Sequence, residues 1–443
     1  MRDLIMTLSL CLLVTGYSPV RAASLMDVFQ QAVVSDPTYL AAISERDAAL
    51  QAKPQARSLY LPQLSVDARY GRIRDTLNQT NFAPATGLPF TKEYNSGSYG
   101  VSLNQVIYNG DFIQRLKQAG YEVMRAEANF NAERQALLVR VAERYFNVLD
   151  AQDNLEFARS EKKAIGEQLN QTKQRFNVGL TAITDVAESQ AGYDQSVAQE
   201  IAAENQLAIA REELREVTGV YYDNLARLAE DFPLLTPEPA NIEEWVKTAL
   251  DQNLFLIAAE NAMQTAEHEV KRQRAGHLPT LNLNAGYSAT DQSDEPIVGR
   301  ESEDLSATLV LEVPIYEGGR VQSQTRQAAA QYQQSKDLYE AQRRATEREA
   351  RSAYLTTLAN ISGVRAVKQA LVSTQTALEA TEAGFDVGTR TAVDVLNRQR
   401  DVFQAKSVYA GARYDYVLQT LILKQAAGVL TVEDLESLNK WLR

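Results

Sequence analysis

The side chains that could carry chemistry in this sequence are few. His268 and His277 are the only histidines and stand nine residues apart on different expected elements, which provides neither a metal pair nor a base with an orienting partner. Cys11 is the single cysteine. No loop ends in Gly-Lys-Ser or Gly-Lys-Thr, so the chain is not expected to hydrolyse nucleotides. The expectation is a protein that is not an enzyme, with no cofactor and no metal. What remains is a pair of carboxylates: Asp185 in Thr181-Ala182-Ile183-Thr184-Asp185-Val186, and Asp394 in Thr389-Arg390-Thr391-Ala392-Val393-Asp394-Val395. Each follows a glycine turn, Val178-Gly179 or Val387-Gly388. Subtracting Gly179 from Gly388, or Asp185 from Asp394, gives 209 both times, so these are matching points of two copies. An acid one turn into a helix is favoured by the helix dipole. An ordinary cap and an ion-facing role both fit the residues.

Those turns need long helices to carry them. Leu25 to Ser58 reads as a helix that stops before Pro62. The period then becomes two, with Leu64, Val66, Ala68 and Tyr70 against Ser65, Asp67, Arg69 and Gly71. A polar stretch, Arg72 to Gly97, separates this strand from a second one carrying Tyr99, Val101, Leu103 and Ile107. From Gly110 to about Asn177 the chain reads as one helix; roughly 65 residues at 1.5 Å each would make about 100 Å. Leu138, Val141, Tyr145, Val148 and Leu155 keep a three-four spacing along it, as a seam against neighbouring helices does. A return helix runs from about Thr184 to Thr218 and stops at Gly219.

Past Pro233, Pro237 and Pro239 the programme restarts. Ile242 to Gly276 is expected to be helical. Leu281, Leu283, Ala285 and Tyr287 then alternate with Asn282, Asn284, Gly286 and Ser288. Asp291, Asp294, Glu295, Glu301, Glu303 and Asp304 read as an exposed acidic loop leading into a fourth strand with Leu305, Ala307, Leu309 and Leu311. A second long helix spans about Arg320 to Phe385, with Tyr354 answering Tyr145 at the same offset of 209, and its return helix begins near Ala392. The expected organisation is therefore a leader over 1–22, a first repeat over 23–230 and a second over 231–443, with the proline-rich junction at 231–241.

Arg2, an apolar run from Leu4 to Val14, and Val20-Arg21-Ala22 read as a secretory signal peptide containing Cys11. The mature chain then has no thiol, and its formal charge moves from −12 to about −13 on losing Arg2, Asp3 and Arg21. That balance argues against nucleic acid as a partner. An exported chain with no further long apolar span is soluble or crosses a membrane as strands. Four strands cannot close a barrel alone, because open edges leave backbone groups unpaired in lipid. From the residues, a pooled barrel and a small soluble sheet on a helical bundle both stand. Tyr70, Tyr99 and Tyr287 fit an interfacial aromatic girdle or core packing.

The motifs Leu61-Pro62-Gln63-Leu64, Arg175-Phe176-Asn177-Val178-Gly179, Ala182-Ile183-Thr184-Asp185-Val186, His277-Leu278-Pro279-Thr280-Leu281, Pro314-Ile315-Tyr316 and Val387-Gly388-Thr389-Arg390-Thr391 occur in order on this duplicated frame. In them the chain resembles the TolC-like outer-membrane efflux proteins over essentially its whole mature length. The resemblance implies an α+β membrane protein: a homotrimer whose three chains each give four strands to a 12-stranded outer-membrane barrel. A periplasmic α-helical coiled-coil barrel would continue from it, closed by the helix turns. The function implied is an exit duct for multidrug efflux or type I protein secretion, working with a periplasmic adaptor and an inner-membrane pump of RND or ABC type. A soluble periplasmic coiled-coil adaptor is the alternative, though it has no need of four alternating strands.

The resemblance also assigns roles at the turns. Asp394 would ring the pore in three copies, drawing cations. The family's second acidic ring falls on Asn397, and Arg398 and Arg400 stand nearby, so a weaker filter is expected. Arg390 would bond near Thr184 and Asp185 of a neighbouring helix pair. The family's tyrosine partner is Phe385 here, which removes a hydroxyl from the latch. Val178, Gly179, Val387 and Gly388 would form the adaptor-docking turns.

Overall fold

The computed structural model describes residues 22–77, 90–292 and 300–443. The expected leader, over 1–22, lies outside them except for Ala22. Contacts divide the chain into two compact units. One takes the chain up to Leu40 together with Arg134–Trp245 and Ala350–Arg443; the other takes Ala41–Glu133 and Val246–Glu349. Each unit therefore draws on both copies of the repeat.

The second unit holds a four-stranded antiparallel sheet in the order β1 (Gln63–Leu77), β2 (Phe90–Asn109), β3 (Thr280–Gln292) and β4 (Arg300–Glu312). Its register joins the four apolar rows read from the sequence. Leu64 and Val66 face Leu103 and Val101; Val101 faces Tyr287; Tyr287 and Leu283 face Leu305 and Leu309. Successive strand residues point to opposite faces, so these side chains share one face. That face is bare: Val66, Tyr70, Leu305 and Leu309 are all strongly exposed. The opposite face is polar, with Ser65 bonded to Ser102 at 2.7 Å and Asn104 to Asn284 at 3.0 Å. Tyr99 and Tyr287 lie on the apolar face with ring centres 6.4 Å apart. Tyr70 and Tyr99 are exposed and do not pack a core, while Tyr287 is half-buried.

The strands are longer than the alternation predicts. Residues expected in the loop from Arg72 to Gly97 belong largely to β1 and β2, and Arg72 and Arg74 pair across the strands with Glu93. Asp291, Glu301, Glu303 and Asp304 likewise sit on β3 and β4 rather than in an acidic loop, whereas Asp294 and Glu295 fall outside the described residues. Cross-strand pairing satisfies the backbone whatever the side chains are, so it runs on past the apolar rows.

Two expected helices are also broken. Leu25 to Ser58 is three helices: α1 (Leu25–Ser35), α2 (Pro37–Leu50) and α3 (Ala52–Ser58). Asp36 ends α1 and its Oδ1 accepts the Tyr39 N–H at 2.8 Å, while Pro37 occupies the first helical position. The stretch Ile242 to Gly276 divides into α6 (Ile242–Gln252) and α7 (Leu254–Arg274) at Asn253, whose Oδ1 accepts from Leu256 at 3.1 Å. Subtracting Asp36 from Asn253 gives 217, as does Pro62 from Pro279, so the break is part of the repeat.

The long elements agree with the sequence reading: α4 (Gly110–Asn177), α5 (Ile183–Thr218), α8 (Arg320–Asp386) and α9 (Ala392–Ala426), followed by a short α10 (Val432–Asn439). Neither α4 nor α8 contains proline. In the first unit, Leu138, Val141, Tyr145, Val148 and Leu155 of α4 are all buried. Phe146 stacks on Tyr414 of α9 at 5.7 Å, and the Tyr145 hydroxyl reaches the Ala226 carbonyl at 2.7 Å. Tyr354 occupies a second cluster with Trp245, Leu423 and Ala427.

The bare apolar face generates a test. Leu309→Arg is expected to lower stability in a bilayer by about 2–4 kcal/mol, as for a charge facing lipid at mid-depth. Thr308→Arg, on the polar face, should leave it nearly unchanged. Urea titration of protein folded into liposomes separates the two.

Candidate functional site

The two glycine turns share one local cause. Gly179 and Gly388 adopt φ of +78° and +80°, a region that side chains with a Cβ resist. The left-handed residue lets the chain reverse and satisfies the last carbonyls of the helix before it. Leu180 N–H donates to the Arg175 carbonyl at 2.8 Å and Gly179 N–H to Phe176 at 2.9 Å. In the second copy Thr389 N–H donates to Gly384 at 2.8 Å and Gly388 N–H to Phe385 at 3.1 Å. The tips are apolar and open to solvent: Val178, Leu180 and Val387 are 70%, 75% and 75% exposed.

Both acids sit at the third position of the helix that follows, with different partners. Asp394 closes a capping box: its Oδ2 accepts from Thr391 N–H at 2.9 Å and from the Thr391 hydroxyl at 3.0 Å, while its own N–H donates back to Thr391 Oγ1 at 3.2 Å. The Thr391 N–H bond, then the hydroxyl, hold the Asp394 carboxyl below its ordinary range, so it is ionised at neutral pH. Ala182 occupies the capping position of α5 and offers no side-chain oxygen. There the Thr181 hydroxyl donates to the Asp185 carboxylate instead. Asp394 is thus a capping residue that keeps its charge at the turn.

Asn397 is exposed one turn along α9. Arg398 reaches Asp401 at 2.8 Å, and Arg400 lies against Gly192 of α5. Arg390 is exposed, and its Cγ would stand 2.8 Å from a Cβ added at Gly384. Gly384 therefore gives Arg390 room to lie across the end of α8. Phe385 carries the Arg175 guanidinium 4.3 Å above its ring, so the tips of the α4–α5 and α8–α9 hairpins meet within one chain. The sequence reading quoted Arg175 in a motif but gave it no role. The repeat offset of 209 held the signal: Arg175 stands where the second copy has Gly384, and Thr181 where it has Arg390.

Behind the tips, small residues bring the helices close. Ser189 and Ser196 of α5 are buried, Ser189 lies 3.4 Å from the Thr172 hydroxyl of α4, and Gly192 meets Ile165 and Leu396. Further along, Arg159 pairs with Glu204 and Arg144 with Glu213, both at 2.7 Å. His268, on α7, is buried against Tyr121 at 5.4 Å with Nδ1 2.9 Å from Gln114 Oε1, and burial lowers its pKa. His277 is exposed in the turn after α7. Among the described residues no three His, Cys, Asp or Glu side chains are placed to hold a metal.

A group the sequence did not single out lies between α4 and α9. Burial first, then the neighbouring Asp153 and Asp415 charges, push Asp150 up to about 6. Its oxygens face Asn154 at 2.9 Å and the Cα side of Gly411. Asp153 is likewise raised by burial, and accepts from the Tyr414 hydroxyl at 2.7 Å. A carboxyl whose folded pKa exceeds its unfolded value opposes folding once ionised; stability from Asp150 is full below pH about 4 and falls as pH rises toward 6. Asp150→Asn is expected to raise stability at pH 7 by on the order of 1 kcal/mol, after discounting for solvent access, and to flatten this part of the profile. Thermal melts at pH 5 and pH 7 measure both effects.

The family described as "Outer membrane efflux protein" matches residues 28–220 and 245–429. The chain is 39% identical to outer membrane protein TolC of Vibrio cholerae over 429 residues, covering 96% of this chain and 95% of that one. It is 30% identical to the alkaline protease secretion protein AprF of Pseudomonas aeruginosa, covering 94% and 86%. Among solved structures, CusC, described as forming a transmembrane channel, superposes with a TM-score of 0.79 at 18% identity over 92% of each chain.

Proposed function

The chain belongs to the outer membrane efflux protein family, and we infer that it is the outer-membrane exit duct of an efflux or type I secretion system. The observation that carries this is likeness along nearly the whole chain to an outer-membrane protein of the family, joined to a sheet whose apolar face is bare. It resides in the outer membrane. The soluble-adaptor alternative gives no reason for four strands with that face.

The assembly we propose is a homotrimer. A four-stranded sheet leaves β1 and β4 with unpaired edges, which lipid does not tolerate; three copies would supply 12 strands and a closed barrel. The repeats over 23–230 and 231–443 would each supply one hairpin of strands and one hairpin of long helices, the latter reaching into the periplasm. Such a duct has no energy source and performs no catalysis. A periplasmic adaptor and an inner-membrane RND or ABC pump would drive it, docking at the turns around Val178, Gly179, Val387 and Gly388, where exposed apolar side chains favour a protein partner. Small molecules and unfolded proteins are the two classes of cargo.

The same turns would gate the entrance. Three Asp394 carboxylates around a narrow pore attract cations, and Asn397 in place of a second acid makes a single ring. Arg390, spread over Gly384, would reach Thr184 and Asp185 of the neighbouring chain. Each exposed link is worth roughly 0.2–1 kcal/mol, so a docking partner of modest affinity can open them.

Two electrical measurements test this. Arg390→Ser is expected to raise resting conductance in planar bilayers; an unchanged value removes the latch. Asp394→Asn keeps an oxygen for the Thr391 bonds while losing the charge, and should shift the reversal potential toward lower cation preference and weaken block by trivalent cations. If the reversal potential stays put, the Asp394 ring is not the filter. The localisation has its own check: an oligomer that extracts with outer-membrane porins fits the duct, and release by osmotic shock fits a soluble adaptor.

A further inference from the structure

We propose that Arg175 is a positioning residue of the entrance: its guanidinium, stacked on the Phe385 ring, clasps the tip of the first helix hairpin to the tip of the second within one chain. The inference rests on the reading that these turns gate the duct.

The stack lies 4.3 Å from the ring centre, well inside the range of about 6 Å over which a cation is drawn to an aromatic face. Arg175 occupies the last turn of α4, and its carbonyl already accepts from Leu180 N–H, so its backbone is fixed and only the side chain reaches across. Phe385 sits in the last turn of α8, one position past the match of Arg175, and its carbonyl accepts from Gly388 N–H. Both anchors thus lie beside the left-handed glycines on which the chain reverses. A planar guanidinium suits this geometry better than an ammonium, because it stacks on a ring and sheds water more readily.

The two copies have divided the work. The first copy carries an arginine at 175 and a threonine at 181; the second carries a glycine at 384 and an arginine at 390. Gly384 clears space for Arg390 on one side of the α8 terminus, and Phe385 receives Arg175 from the other hairpin. A residue without a hydroxyl at 385 offers no hydrogen bond to a neighbour, yet it offers a full ring face. The clasp fastens the hairpins of one chain, so it resists their separation by a route independent of any link between chains.

Resting conductance in planar bilayers tests the clasp, using the full-length assembled protein. Arg175→Ala and Phe385→Leu are each expected to raise it about two- to fivefold, the population shift that loss of a half-buried cation–π contact produces. The double variant should add little beyond either single change, since both remove one contact. Phe385→Tyr keeps the ring and should stay at the wild-type value or below, and Arg175→Lys should fall between wild type and alanine. Phe385→Leu changes no charge, so a rise there cannot come from the field in the pore. Thermal melts of these variants are expected to stay close to wild type, since both side chains lie at the helix ends. If Arg390→Ser raises conductance while Arg175→Ala and Phe385→Leu do not, the clasp is wrong and the gate stands. If none of the three moves it, the gate at these turns falls and the clasp with it.

Discussion

A backbone amide placed in hydrocarbon without a partner costs several kcal/mol, and β1 and β4 each present a row of them at the open edges of the sheet. The side chains make that constraint matter here. One face of all four strands is apolar and exposed, while the other pairs Ser65 with Ser102 and Asn104 with Asn284. A sheet of this kind has a place in a membrane only when its edges are matched by other copies. The homotrimer proposed above would pair those edges.

Duplication explains how one chain meets that demand with a single plan used twice. Each copy supplies helical pieces, a strand hairpin and a long helix with its return, and the helix breaks at Asp36 and Asn253 recur at the same repeat offset as Pro62 and Pro279. The copies differ where the helices turn. Thr391 and Asp394 form a full capping box in the second copy, while Ala182 leaves the first to a Thr181–Asp185 contact. Arg175 and Arg390 stand on non-equivalent positions. In the buried seam, Tyr145 and Tyr354 remain alike.

The long helices were legible because their cause is local and sustained: no proline, a three-four apolar spacing, and a glycine at each end. The strands were legible in their centres, where Leu64 to Tyr70 or Leu281 to Tyr287 alternate cleanly. Their ends were not, since Arg72, Glu93 and Glu303 show no alternation and are held by pairing across the sheet. The short interruptions at Asp36 and Asn253 were missed for a related reason. A single capping side chain breaks a helix without disturbing the apolar pattern around it.

At the candidate site, the sequence by itself determined the turns and the acid one turn into each second helix. These follow from residue type and spacing along one stretch of chain. Only the tertiary structure decided that Asp150 is half-buried against Gly411 and that Arg175 lies on Phe385. Those facts join residues up to 261 positions apart, as Asp153 and Tyr414 are. Burial and hydrogen bonding act through space, so the charge state and partners of a side chain are set by neighbours that its own stretch of sequence does not contain.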